Sequence, residues 1–169
     1  MEKSAPSIWM PALIGGGIFG LLSGIPFVGA LNCACCSLVI ASGFVAAFLY
    51  SKECRKSNVE FRAGSGAKVG LMAGLVHGVV WTAVSGVFQA IFDSEASFEE
   101  AIEQIRSNPQ IPPEMADNFV RLFEFLSSAG ILVFLFLFLA LGVIFATIGG
   151  LIGGAAFKVE PEAPAPPTP

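Results

Sequence analysis

Residues 69–92 read VGLMAGLVHGVVWTAVSGVFQAIF, an apolar run without a charged side chain. Small residues recur in it at every fourth position, at Gly70, Gly74, Gly78 and, after Thr82, Gly86. Because residues four apart lie on one face of an α-helix, the run predicts a helix with a groove free of large side chains. In lipid, such a groove lets the backbone of a second helix approach closely.

The same spacing of small residues occurs in two other apolar runs, near the two ends of the chain. We call the three sets the glycine ladders and predict that they are helix-packing surfaces. Their members are Gly16, Gly20, Gly24, Gly70, Gly74, Gly78, Gly86, Gly142, Gly150 and Gly154.

The composition predicts a membrane protein. Hydrophobic residues make up 54% of the 169 residues and charged residues 13%, against roughly 45–50% and 25% in soluble domains. We therefore predict an all-α fold, a polytopic membrane four-helix bundle with glycine-ladder packing, as one domain at 1–158. The five prolines of 159–169 predict a disordered tail. Four runs reach the roughly 20 residues that a span requires: about 8–28, 31–50, 69–92 and 129–157.

The distribution of charge predicts the topology. Seven of the nine Lys and Arg residues lie before the first run, between the second and third, or after the fourth. The other two, Arg106 and Arg121, lie in the segment 93–128 among eight Asp and Glu residues. The positive-inside rule therefore places both termini in the cytoplasm and 93–128 outside. Trp9 and Tyr50 fall at the inner ends of the first two runs, where aromatic belts are expected.

The segment 93–128 contains two amphipathic patterns. The first begins at a capping box from Ser97 to Glu100, and the second near Pro112. We predict an extramembrane helical hairpin that lies flat on the membrane or folds over the outer end of the bundle. The apolar face of its second helix comprises Met115, Phe119, Leu122, Phe123 and Leu126.

The first apolar run has an alternative interpretation as a cleaved signal peptide. Pro26 follows the apolar residues 8–25 of this run, and Val28-Gly29-Ala30 fits a small-residue cleavage site. However, the preceding residues are barely positive, and the ladder in this run has a use in helix packing. We therefore expect the run to be retained as a span.

Two polar residues of the third run are candidate functional residues. His77 is the only histidine and falls near the middle of the run, and Gln89 lies near its outer end. An ionisable residue at such depth is often functional; the alternative is a neutral imidazole hydrogen-bonded to a neighbouring helix. The four runs contain no Asp, Glu, Lys or Arg, which argues against proton-coupled or ion-coupled transport.

Three cysteines, Cys33, Cys35 and Cys36, lie at the outer end of the second run. A metal site requires about four converging ligands, but Cys35 does not share a helix face with the other two. Helix rise places Cys36 and His77 about 10 Å apart in depth within a layer ~30 Å thick. We therefore predict neither a metal site nor a cofactor. The thiols are expected to be packing residues, with redox pairing or acylation as the alternative.

The segments IPFV at 25–28, LNCACC at 31–36 and GAKVGLMAGL at 66–75 resemble a loose group of small, uncharacterised bacterial four-span proteins. The resemblance covers the first three runs, and its Asn-Cys-x-Cys-Cys segment is its most specific part. It implies a bacterial inner-membrane setting. It supplies no activity, so no functional residue is carried over.

The sequence contains no phosphate-binding loop, nucleophile elbow or zinc-protease motif, and its basic loop is too small to indicate nucleic-acid binding. We therefore expect a non-enzymatic scaffold or accessory subunit whose partners are the lipid bilayer and either further copies or another membrane protein. The first alternative is a small oligomeric channel or transporter with a path lined by His77, Thr82, Ser85 and Gln89. The second alternative is a membrane thiol-redox protein that uses Cys33, Cys35 and Cys36.

Overall fold

The computed structural model describes residues 5–25, 28, 36–91, 94–109, 111–128 and 131–161. Over these residues the chain forms six α-helices and no β-strand. The helices are α1 Trp9–Gly24, α2 Ser37–Ser57, α3 Ala63–Ile91, α4 Ser94–Ser107, α5 Pro113–Ser128 and α6 Ile131–Ala156.

Three of these helices contain segments long and apolar enough to cross a membrane: Ser37–Ser57, Ala63–Phe88 and Leu135–Ala156. The helix α1 is also apolar but shorter, with 16 residues. Residues 26–27 and 29–35 lie outside the described residues, and they include Cys33, Cys35, the start of the second predicted run and all but Val28 of the possible cleavage site.

Three helices differ in extent from the sequence prediction, and one of them, α3, begins at Ala63 and not at residue 69. The helix α2 continues past Tyr50 to Ser57, because the charged residues after Tyr50 are ordinary helix formers. It ends where Asn58 adopts the left-handed conformation, with its N–H directed at the carbonyl groups of Arg55 and Cys54. The helix α4 begins at Ser94, before the capping box predicted at Ser97.

The four apolar helices alternate in direction. Moving along α1 from Gly16 to Gly20, the facing residue on α3 advances from Ala73 to His77, so these two helices are parallel. Along α3 from Gly70 to Gly74, the facing residues on α6 recede, so α3 and α6 are antiparallel. Similar comparisons make α2 antiparallel to α1 and parallel to α6. The helices α2 and α3 contact each other and both flanking helices, and α1 and α6 occupy opposite sides of the bundle.

The bundle carries small side chains inside and large apolar side chains outside. Ala12, Ala46, Ala73 and Ala146 are fully buried between helices. Large apolar side chains are instead exposed, such as Phe136 at 75%. Water would not tolerate an apolar outer surface of this extent, whereas lipid would, and small residues let helices pack closely in lipid.

The chain segments at one end of the bundle are joined by a group of contacts that we call the clasp, comprising Pro6, Tyr50, Phe61 and Val159. Phe61 and Val159 form an antiparallel bridge with two backbone hydrogen bonds of 3.0 Å. The Tyr50 ring meets Phe61 edge-on at 5.6 Å between centroids, and its hydroxyl donates to the Pro6 carbonyl at 3.3 Å. The clasp therefore connects the N-terminal segment, the α2–α3 connection and the segment after α6.

The clasp changes two sequence expectations. Tyr50 is buried, with 6% of its surface exposed, so it does not belong to a lipid-facing aromatic belt. Val159 is buried and bridged, so the ordered region extends past the predicted domain boundary. Residues 162–169 of the predicted tail lie outside the described residues.

The helical hairpin of α4 and α5 contacts the bundle through α6. On α5, Ala116 and Val120 are buried, whereas Met115, Phe119 and Leu122 are exposed. These three exposed side chains of the predicted face point away from the described part of the protein, which is typical of a helix at a membrane surface.

Candidate functional site

A cavity of about 360 Å³ lies between the four apolar helices, and we call it the bundle cavity. Each of these helices contributes lining residues, including the candidate functional residue His77 of α3. Its lining residues are Ser23 of α1, Cys36 and Val39 at the start of α2, His77, Gly78 and Trp81 of α3, and Phe138, Leu141, Gly142 and Phe145 of α6.

Glycines of α1 position the polar side of this cavity. A Cβ atom on Gly20 would lie only 2.9 Å from the His77 carbonyl oxygen, and one on Gly16 would collide with the carbonyl oxygen of Ala73. Because these positions lack side chains, the backbones of α1 and α3 approach closely. That approach buries both Ser23, one turn after Gly20, and His77, each with 5% or less of its surface exposed.

Ser23 and His77 have buried polar atoms without hydrogen-bond partners in the described part of the chain, namely Ser23 Oγ and His77 Nδ1. Ser42 and Thr147 behave differently, because each hydroxyl donates to a backbone carbonyl of the preceding turn, at 2.7 and 2.6 Å. An unsatisfied buried polar group ordinarily costs about 1–3 kcal/mol. Two such groups lining one cavity therefore distinguish it from the remainder of the bundle.

The opposite side of the cavity is aromatic and apolar. Trp81 stacks on Phe138 with 5.8 Å between ring centroids and 20° between ring planes, and Phe145 lies nearby on α6. A Cβ atom on Gly142 would meet nothing within 4 Å, so this glycine leaves open space. The cavity combines an aromatic wall with two hydrogen-bonding groups, as small-molecule sites commonly do.

The structure brings most of the glycine ladders against neighbouring helices. At eight of the ten ladder positions, a Cβ atom would come closer than 3.0 Å to an atom of another helix or of the connection before α3. At Gly86 and Gly142 it would meet nothing within 4 Å. Glycines outside the ladders make equally close contacts: Gly15, Gly43, Gly66, Gly149 and Gly153.

The remaining predicted site residues are placed as follows. Cys36 lines the same cavity as His77. Cys54 is buried near the clasp, about 27 Å along α2 from Cys36 at ~1.5 Å per residue. The side chain of Gln89 is not among those described. No group of three or more His, Cys, Asp or Glu side chains suited to a metal occurs within the described ranges.

Sequence reasoning did not identify Ser23 as a site residue. A signal for it existed, because Ser23 follows Gly16 by seven positions and Gly20 by three and so shares their helix face. A hydroxyl on a face otherwise made of glycine is the feature that would have indicated it. The aromatic wall had no comparable signal, since phenylalanine is frequent throughout the chain.

Comparison with known proteins adds no assignment: no family model, curated protein or solved structure matches this chain.

Proposed function

We propose that the protein is a bacterial inner-membrane protein with four spans, formed by α1, α2, α3 and α6, and that both termini are cytoplasmic. The clasp end carries the basic residues Lys52, Arg55, Lys56 and Arg62, which supports a cytoplasmic location for it. The 16 residues of α1 extend about 24 Å, against ~30 Å of hydrocarbon. Its parallel packing on α3 supports its inclusion as a span.

Within this membrane bundle, the function that we propose is that of a non-enzymatic scaffold or accessory subunit. The observation that carries it is the exposed outer part of α3, which we call the outer-α3 face: Ala83, Val84, Gly86, Val87 and Phe88. Four of these residues line a groove of about 260 Å³, and a Cβ atom on Gly86 would meet nothing within 4 Å. The other ladder glycine with open space, Gly142, lines the bundle cavity instead. Gly86 is thus the ladder residue available to a helix outside the bundle.

The outer-α3 face begins where the described α1–α3 contact ends. Gly24, the last residue of α1, meets Val84, and α3 continues to Ile91. Val87 is 59% and Ile91 69% exposed, so apolar side chains flank the small residue. A membrane helix of a partner protein, or the same helix of another copy, would bury these side chains and approach the backbone at Gly86.

The test compares Gly86→Leu with Gly17→Leu, a matched change at another position where a Cβ atom meets nothing within 4 Å. Each variant is crosslinked in its native membrane and extracted in mild detergent, and the mass of the complex is determined. We expect Gly86→Leu to remove the larger species and Gly17→Leu to retain it. An unchanged complex for Gly86→Leu would contradict the proposed surface. Gly74→Leu is unsuitable here because it would disturb the α3–α6 contact inside the chain.

The bundle cavity favours a second candidate function, a small channel or transporter. His77 is buried inside a single chain, so a path past it would run through the bundle rather than between copies. Potassium and proton flux into liposomes would be measured for the native protein and for His77→Phe. Flux that requires the protein and changes with His77→Phe is expected for this candidate, and equal flux in protein-free liposomes would exclude it for these ions.

A further inference from the structure

We propose that the bundle cavity is a binding site for an uncharged two-ring aromatic molecule that carries a hydroxyl group. The inference rests on the volume, the lining and the two unpartnered polar atoms of the cavity. It does not depend on the outer-α3 face, which involves different residues of α3.

The volume of the cavity sets the size of the ligand. An apolar cavity of ~150 Å³ inside a protein can hold one benzene ring. The bundle cavity, at about 360 Å³, is more than twice as large and accommodates two fused rings. It also lies within the ordinary range of small-molecule sites, roughly 300–1,000 Å³.

The lining residues favour a ligand whose ring system is aromatic and uncharged. The described lining residues include no Asp, Glu, Lys or Arg, so a charged ligand would lose its hydration without gaining an ion pair. Trp81, Phe138 and Phe145 line the cavity, and aromatic pairs gain stability beyond the area they bury.

The polar side of the cavity selects the hydroxyl group. A serine hydroxyl can donate and accept, and a neutral imidazole has one donor and one acceptor nitrogen. A ligand hydroxyl can likewise donate to or accept from either group, whichever imidazole tautomer is present. Ser23 Oγ and His77 Nδ1 lack partners in the described structure, and both residues line the cavity, although each of the two atoms is itself covered, so a side-chain rotation must turn it towards the ligand. A ligand of this kind would therefore satisfy groups that the protein leaves unsatisfied.

The test is calorimetric titration of the full-length protein in lipid nanodiscs with 2-naphthol, with the heat of titrating empty nanodiscs subtracted. Naphthalene, which lacks the hydroxyl, is titrated in parallel. We expect saturable binding of one 2-naphthol per chain, with a weaker affinity for naphthalene.

Two variants report on different parts of the site. Gly142→Leu places a side chain in the open space of the cavity and is expected to weaken 2-naphthol binding at least tenfold. Its matched control is Gly17→Leu, which adds the same side chain at an open position of α1 outside the cavity lining and should bind normally. Ser23→Ala is expected to weaken 2-naphthol binding about fivefold, the worth of one hydrogen bond, and to leave naphthalene binding unchanged.

The outcomes separate a ligand site from a hydrated void. Heats that rise without saturation, or binding that is equal in the native protein and Gly142→Leu, would overturn the proposal and leave the cavity a water-filled space. If Gly142→Leu does not fold, the comparison of 2-naphthol with naphthalene in Ser23→Ala decides instead. An equal response of both ligands to that substitution would overturn the role of the hydroxyl. Neither result depends on whether Gly86→Leu alters assembly.

Discussion

The contact between α3 and α6 at Gly70 leads to a quantitative prediction for Gly70→Ala. The new Cβ atom would lie 2.5 Å from the Ala146 carbonyl oxygen and 2.9 Å from the Gly150 Cα atom. Both are backbone atoms, so no side-chain rotation can relieve the contact. Ordinary carbon contacts lie at roughly 3.5–4.0 Å, so the helices must separate by roughly 0.6–1.1 Å, the difference between that distance and the measured 2.9 Å.

A separation of that size weakens every contact along the two helices. A gap of about 0.5–1 Å forfeits a quarter to a half of the dispersion energy of an atom pair. Inserting one carbon atom into a closely packed contact typically costs about 1–3 kcal/mol. We therefore expect the free energy of unfolding of Gly70→Ala to be about 1–3 kcal/mol below that of Gly17→Ala, which has open space at its Cβ position.

The assay is reversible unfolding in mixed micelles with increasing sodium dodecyl sulfate, followed by circular dichroism. Gly17→Ala makes the same chemical change in another apolar helix and therefore removes the effect of helix propensity from the comparison. Gly70→Ala and Gly17→Ala of equal stability would refute the claim that α3 and α6 approach closely at Gly70. A double variant with Gly150→Ala extends the test, since adjacent insertions should be non-additive.

Three further predictions concern the clasp and the topology. Phe61→Ala removes a fully buried ring and should lower the free energy of unfolding by about 3–5 kcal/mol in the same assay. Tyr50→Phe removes the hydroxyl that donates to the Pro6 carbonyl and also hydrogen-bonds with Cys54, so it should cost about 0.5–1.5 kcal/mol and expose the N-terminal segment to faster proteolysis. In a cysteine-free background, a membrane-impermeant maleimide added to intact cells should label Gln104→Cys but not Lys56→Cys, as the charge distribution predicts.

Each of these has a contradicting result, and Phe61→Ala also has a matched control. Phe136→Ala removes a ring that is 75% exposed on α6 and should cost much less than Phe61→Ala; equal losses would contradict a structural role for the clasp. Proteolysis of Tyr50→Phe at the native rate would show that the tyrosine hydroxyl does not hold the N-terminal segment. Labelling of Lys56→Cys in intact cells, with Gln104→Cys protected, would reverse the proposed orientation.

The sequence predicts the helical class well because lipid imposes a simple rule. Every backbone polar group in the hydrocarbon must be satisfied internally, so a long apolar run becomes a helix. The apolar runs around Gly20, Gly74 and Gly150 accordingly coincide with α1, α3 and α6. Helix ends were less predictable, because charged residues such as Lys52 and Glu53 continue a helix beyond its apolar part.

The candidate site was less predictable than the helices. His77 was identified because an ionisable residue is conspicuous in an apolar run, whereas Ser23 was not, since serine occurs in many helices without a functional role. Which helices surround His77 depends on tertiary packing, and the periodicity of one run does not specify its neighbours. The clasp could not be predicted from the sequence either. Phe61 and Val159 are separated by most of the chain, and their pairing has no local sequence signature.

The clasp also determines how the bundle can move. Its hydrogen bonds and ring contacts join three chain segments at one end, while Ser23, Cys36 and Phe138 line the cavity towards the other. Helices that are joined at one end can pivot about that end, so the clasp would act as a hinge. A small change of angle at the clasp would therefore become a larger displacement at the cavity, and widening of the cavity would leave the glycine contacts nearest the clasp almost unchanged.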